Sequence, residues 1–328
     1  MLEAVRGLPD HFAQGAAFAA PVGHQFRGVR RVIIAGMGGS AFPGELLRIH
    51  TDPLGLDLRV ARDYQIHERF GADTLVIAAS YSGNTEETLA ALADARQRGA
   101  QVMVISAGGQ LAEIAARDGL AAVRLERPTP TFQPRAATGF FLGALAAVLE
   151  NADLLPGGVA AMTATGAALR AHTQVEARAE AIAHTLHGRI PVLYATHPFG
   201  IVAQVIKIKF NENAKMPAFF YGIPELNHNE MVGFTRVTGP FTAVVVDDPA
   251  ASDRHRHRVN TTVATLETNG VPVVRVPLPP HEAPLVQAFS ALYLFDFATC
   301  ALAALGGVDP NPVAMVEDFK QALGPWSH

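Results

Sequence analysis

Two stretches of this chain set small, hydroxyl-bearing residues where an apolar run gives way to a helical one. The first is Gly36-Met37-Gly38-Gly39-Ser40, which follows Val32-Ile33-Ile34-Ala35. The second is Ser80-Tyr81-Ser82-Gly83-Asn84-Thr85, which follows Leu75-Val76-Ile77-Ala78-Ala79 and precedes Glu86-Glu87. A strand–loop–helix junction presents backbone N–H groups and the positive end of a helix dipole at one point. Serine and threonine hydroxyls add donors, and glycine allows close approach, so phosphate or another small anion is the ligand such loops suit. Ser82 or Thr85 capping the next helix is the plainer alternative for one loop alone. Two loops of this kind side by side at the carboxyl edge of one sheet favour a ligand site.

Four further positions could carry acid–base or electrostatic chemistry. Arg135 follows Pro134 at an expected helix start, where its guanidinium could reach over the strand edge; an ordinary surface arginine is the alternative. Glu212 stands between Asn211 and Asn213, residues that favour helix ends over helix interiors. Its plain reading is an exposed carboxylate paired with Lys209 or Lys215. His228 lies in Glu225-Leu226-Asn227-His228-Asn229-Glu230. The trio Glu225, His228 and Glu230 invites a metal, yet its spacing lacks the helical pair that metal sites use. Lys320 sits in a terminal helix, where a lysine is ordinarily solvated. Arg254-His255-Arg256-His257-Arg258 is the densest basic run and reads as a solvated helix face, with an anion or metal site as the weaker option. Finally, Gly36-x-Gly38-x-x-Ala41 with Asp57 downstream fits a dinucleotide fingerprint. That reading leaves the second loop without a role.

These residues need a scaffold, and the pattern supplies one. The chain has 328 residues, 49% of them hydrophobic, which suits two medium domains or one large one. Short apolar runs at 31–35, 57–61, 75–79, 102–105 and 122–125 alternate with amphipathic stretches at 41–50, 86–98 and 110–117. That alternation predicts a parallel sheet covered by helices with right-handed crossovers. The proline-rich segment 127–134 closes the unit, an apolar helix follows over 135–149, and 151–158 reads as a linker. The second half predicts a long helix over 160–187 and strands at 190–195, 216–221, 241–246 and 271–276. Helical stretches are expected at 225–232, 253–268, 284–304 and 312–323. Two similar α/β domains are expected, residues 1–150 and 151–328, each a parallel sheet flanked by helices in three layers.

Composition excludes several classes. A formal net charge of −4 and the lack of a Lys/Arg run argue against nucleic acid as the main partner. The single cysteine, Cys300, rules out a disulfide framework and fits a reducing compartment. No apolar run is expected to reach membrane-spanning length and no signal-peptide layout opens the chain, so a cytoplasmic protein is expected.

The ordered set Gly36-Met-Gly-Gly-Ser40-Ala41, Ser80-Tyr-Ser-Gly-Asn-Thr85, Asn211-Glu-Asn-Ala-Lys215, Pro224-Glu-Leu-Asn-His228 and Asp318-Phe-Lys320 resembles the sugar-isomerase (SIS) superfamily. Within it, the set is most similar to bifunctional phosphoglucose/phosphomannose isomerases, from about residue 30 to the C-terminus. The resemblance implies two SIS domains and an aldose–ketose isomerase acting without cofactor or metal. It places Gly39, Ser40, Ser80, Ser82 and Thr85 on the sugar phosphate. Glu212 would shuttle the proton between C2 and C1, and Arg135 would stabilise the enediolate. His228, contributed by the neighbouring subunit of a homodimer, would open the ring with help from Lys320. The family usually continues after Gly-Gly-Ser-Ala with a small apolar residue and Gly-Gly-Asp, whereas Phe42-Pro43-Gly44-Glu45 stands here. A sugar-phosphate sensor without catalysis and a dinucleotide-dependent oxidoreductase are the competing readings.

Overall fold

A computed structural model describes residues 1–280 and 282–324. The elements run α1 (Leu2–Arg6), α2 (Leu8–Ala19), β1 (Arg31–Gly36), α3 (Gly38–Thr51), β2 (Asp57–Ala61), β3 (Thr74–Ser80) and α4 (Glu86–Gln97). They continue with β4 (Gln101–Ser106), α5 (Gly109–Asp118), β5 (Ala121–Arg124), α6 (Thr138–Asn151) and α7 (Gly158–Arg170). After these come α8 (Val175–Leu186), β6 (Ile190–Thr196), α9 (Gly200–Glu212), β7 (Phe219–Ile223), β8 (Phe241–Asp247), α10 (Asp253–Thr268), β9 (Val273–Pro277), α11 (Pro284–Leu305) and α12 (Ala314–Leu323). Two compact units result: Arg6–Arg170 with the chain from Ala314 onward, and Met1–Val5 with Ala171–Val313.

The first unit holds a five-stranded, all-parallel sheet in the order β2-β1-β3-β4-β5. Strand β3 is buried along its whole length, as an apolar run between two helix layers must be. Ile33, Ala35 and Val76 meet Ala91 and Ala95 of α4 on one side of the sheet. Helix α6 is buried from Thr138 to Leu149 and packs against α2, α3 and α7. A helix apolar all round is a core helix. It begins at Thr138 and not at Arg135, because Pro134–Ala136 forms a separate 3-10 turn.

The second unit holds four parallel strands in the order β7-β6-β8-β9. Its central strand and its edges repeat the order β2-β1-β3-β4 of the first unit, so the two α/β domains share their winding. Expected residues 160–187 are two helices, not one, interrupted at 171–174 between α7 and α8. The strand expected at 216–221 pairs at Phe219–Ile223 instead, since Pro217 has no N–H to give to a ladder. The 225–232 stretch is two 3-10 segments, Glu225–His228 and Glu230–Thr235, hinged at Asn229. Contrary to expectation, one helix among the described residues, α11, is long and apolar enough to cross a membrane. Its most apolar window is 78% buried within the protein, and α11 packs on α8 and α9 as a core helix. Cys300 is buried on it.

Candidate active site

In the first unit the chain winds from β1 to β2 on one side and returns to place β3 on the other. The crevice between β1 and β3 is therefore the switch point at which open α/β sheets bind ligands. Both hydroxyl loops leave the sheet there at the same level, since Gly36 is in register with Ala79. They are stitched together, because the Ser40 hydroxyl accepts the Tyr81 N–H at 3.0 Å.

Within the second loop three hydroxyls converge. Ser80 Oγ lies 2.8 Å from Thr85 Oγ1 and 3.3 Å from Ser82 Oγ. Ser80 Oγ also accepts the Gly83 N–H at 3.1 Å, and Ser82 Oγ accepts the Asn84 N–H at 3.2 Å. Thr85 occupies the N-cap of α4, yet its side chain makes no capping bond. The capping alternative thus fails for Thr85, whose hydroxyl faces the serines and not the helix. Hydroxyl protons rotate freely, so donors that now serve each other can turn onto an anion's oxygens.

A third loop, absent from the sequence reading, buttresses this arrangement. After β4, Ala107 N–H donates to Tyr81 O at 3.1 Å, Gln110 N–H to Asn84 Oδ1 at 2.9 Å and Leu111 N–H to Gly83 O at 2.9 Å. Gly83 has φ +75°, and a Cβ there would stand 1.7 Å from the Gly108 carbonyl oxygen. The sequence signal was Ser106-Ala107-Gly108-Gly109, a further strand followed by a small-residue turn.

Arg135 joins the same crevice from the 3-10 turn. A Cβ on Gly39 would meet the Arg135 backbone N and Cα at 3.0 Å, so a larger residue there would push the turn back by a few tenths of an ångström. Arg135 is 9% exposed, and its Nη1 donates to Gln133 Oε1 at 3.3 Å. Gly39, Ser40, Ser80, Ser82, Thr85 and Arg135 are therefore brought together. The departure at Phe42-Pro43 leaves α3 continuous: both residues are buried inside it, and Arg62 covers the Phe42 ring at 5.2 Å. Pro43 has no N–H for the Gly39 carbonyl four residues earlier. Asp57, the acid of the dinucleotide reading, opens β2 in register with Arg31 at the amino end of the sheet. There it accepts from Arg31 Nε at 2.6 Å and Arg59 Nε at 2.8 Å. It is on the wrong edge for a ribose, which removes that reading.

Beneath the Arg135 turn lies His11 of α2, unremarked in the sequence. It is 5% exposed, stacked on Phe140 at 4.0 Å, with no partner on Nδ1. Burial pushes its pKa down to about 4, opposed by nearby Asp10 and a bond to the Ala136 backbone. The unfolded imidazole protonates near 6.5 while the folded one resists, so stability is full above 6.5 and falls as pH drops towards 4. The whole loss is about 3 kcal/mol. Urea unfolding at a series of pH values should show His11→Gln flattening this acid limb by one proton. An unchanged slope would contradict the assignment.

The second unit carries Glu212 and His228. Glu212 is the last residue of α9 and half-buried. Its flanking asparagines fix the helix end: Asn213 Nδ2 donates to Thr299 Oγ1 at 3.0 Å and Asn211 Nδ2 to Met216 O at 3.0 Å. Lys209 is buried against Asp296, and Lys215, at φ +56°, donates from Nζ to the main-chain carbonyls of Glu212 and Pro312. His228 is exposed at the end of its 3-10 turn. The Glu225/His228/Glu230 trio is dispersed. Glu225 accepts from Asn229 Nδ2 at 2.9 Å, while Glu230 accepts from the Tyr194 hydroxyl at 2.5 Å; burial first, and this bond second, raise the phenol far above its usual range. Among the described residues no group of three His, Cys, Asp or Glu could hold a metal ion. Lys320 pairs with Glu317 at 2.8 Å on the exposed helix α12.

Residues 175–323 match the family of bacterial phospho-glucose isomerase C-terminal SIS domains. The bifunctional phosphoglucose/phosphomannose isomerase of Caldicellulosiruptor bescii is 31% identical over 98% of both chains. The D-glucosamine-6-phosphate 4-epimerase of Sulfolobus acidocaldarius is 32% identical over 66% of this chain and 68% of its own. Among solved structures, the C-terminal domain of glucosamine-fructose-6-phosphate aminotransferase from Francisella tularensis superposes with a TM-score of 0.74. That alignment covers 95% of this chain and 98% of that one at 14% identity, and it shows a shared fold. On the likeness to the Caldicellulosiruptor protein, which spans nearly all of both sequences, this chain belongs to the bifunctional phosphoglucose/phosphomannose isomerase family.

Proposed function

We propose that the protein interconverts glucose 6-phosphate and mannose 6-phosphate with fructose 6-phosphate. The observation that carries this reading is the convergence of Ser80, Ser82 and Thr85 hydroxyls beside buried Arg135 at the sheet's switch point. The phosphate sits on the loops, with Gly39 and Ser40 closing the crevice. His228 delivers a proton to the ring oxygen as the C1–O5 bond breaks and the C1 hydroxyl gives its proton to water, and Lys320 assists; breaking the exposed Glu317 pair to do so costs little. Glu212 then removes the C2 proton of the open aldose, negative charge develops on the enediolate oxygen, and Arg135 stabilises it. Returning the proton at C1, as the O2 hydroxyl proton passes to O1, gives the ketose. The two aldoses differ only at C2 and share one enediolate, so a single base acting on either epimer suffices.

His228 acts in a homodimer, supplied by the second copy. Exposed apolar surface supports this: Met315 is 85% and Phe319 64% exposed on α12, which buries no residue, and Phe219 and Val232 beside the His228 turn are 55% and 68% exposed. Apolar side chains exposed in this way on either unit are candidates for the contact between copies. The reaction needs no cofactor or metal in this scheme, and its substrates place the enzyme in the cytoplasm.

The likeness to the Sulfolobus epimerase favours one second reading, chemistry at C4 of an amino sugar phosphate; product analysis separates the two. Phosphate binding is tested by Ser82→Ala. A hydroxyl on the phosphate serves ground and transition states alike, so KM should rise about tenfold with kcat nearly unchanged. A tenfold fall in kcat at constant KM would place Ser82 elsewhere.

A further inference from the structure

Helix α10 sets Arg254, His257, Arg258 and Thr261 at the i, i+3, i+4 and i+7 spacing that shares one face. Asn227 and Met231 lie opposite, and a cavity of about 270 Å³ opens between them and that face. No carboxylate lines it. Asp253, one residue before Arg254, is taken by Arg256 at 2.6 Å. Among the described residues no acidic side chain bonds Arg254, His257 or Arg258, in a chain whose net charge is −4. Arg258 donates from Nη1 to Asn227 Oδ1 at 3.2 Å, and Asn227 Nδ2 donates to Thr262 Oγ1 at 2.9 Å. The Thr261 and Thr262 hydroxyl protons serve the carbonyls of His257 and Arg258. The donors left free in this cavity are thus the guanidinium groups of Arg254 and Arg258 and the His257 ring.

We propose that this cavity is a second anion site, taking inorganic phosphate or a short phosphate ester, separate from the serine loops. Guanidinium forks match phosphate oxygens in pairs, and two of them on one concave wall give both charge and geometry. The volume falls just below that of typical drug-sized ligand pockets, about 300–1,000 Å³, which suits a phosphate with a few carbons. Met231 supplies an apolar wall for those carbons. An anion drawing on Arg258 competes with Asn227 Oδ1 for the same guanidinium. Occupancy therefore bears on the residue directly before His228, which couples the site to the turn carrying the ring-opening group.

Equilibrium dialysis of the whole protein against labelled inorganic phosphate at low salt tests this by stoichiometry. Two phosphates per chain are expected for the native protein, one for Ser80→Ala/Ser82→Ala, and one for Arg254→Gln/Arg258→Gln. Arg254→Glu, at an exposed residue without a hydrogen bond among the described residues, preserves the fold and should weaken the same event at least tenfold. Two phosphates retained by either arginine variant, or one phosphate in the native protein that only the serine changes remove, would overturn the proposal. Loss of one phosphate in the arginine variants alone, with two kept after the serine changes, would uphold this site and remove the serine-loop reading.

Discussion

Glu212→Gln is expected to lower kcat for both aldoses by about 10³-fold or more, within the range of a lost general base, while KM stays within about twofold. Glutamine keeps the shape and the position at the end of α9, and the bonds of Asn211 and Asn213 that hold that end are untouched. What disappears is the basic oxygen, which the proposed scheme needs only when the C2 proton moves. Steady-state kinetics with a coupled assay read both constants. A variant retaining more than a tenth of native kcat would remove Glu212 from the chemical step. The companion change His228→Asn should slow turnover of cyclic aldoses. In the proposed homodimer, mixing the two impaired variants should restore activity, because a hybrid would then hold one intact site.

Gly83→Ala is expected to destabilise the first unit by about 3–5 kcal/mol and to abolish saturable phosphate binding there. Two costs combine at this position: φ of +75°, and a Cβ that would stand 1.7 Å from the Gly108 carbonyl oxygen. Gly99→Ala isolates the first cost, since Gly99 has φ +76° and open space around its Cβ. About 1 kcal/mol is expected there. Denaturant titration of both variants checks the difference, and equal losses would show that the loop yields without strain.

Much of this arrangement was legible because it depends on short-range pattern. The apolar runs ending in Gly36 and Ser80 announced strands, and the small residues after them announced turns that a ligand can approach. Hydroxyl spacing alone could not show that Thr85 declines its capping role, because that is settled by its distance to Ser80 across the loop. The third loop at Ala107–Gln110 offers only a small-residue turn as its signal, since what it contributes is its own backbone N–H groups, bonded to Tyr81, Gly83 and Asn84. Arg135 was placed at a helix start, but Pro134 nucleates a 3-10 turn, and the helix waits for Thr138. His11 was invisible for a tertiary reason: its surroundings, Phe132 and Phe140, lie more than a hundred residues away. The break between α7 and α8 carries no glycine or proline, so local periodicity could not mark it.

The most direct test follows glucose 6-phosphate and mannose 6-phosphate separately by proton NMR in heavy water with chelator present. Fructose 6-phosphate should appear from both, with deuterium entering at C2 of the recovered aldoses and at C1 of the ketose as the enediolate exchanges its proton. Saturable binding of both sugars without any ketose or exchange would contradict the account and leave a sugar-phosphate sensor in its place.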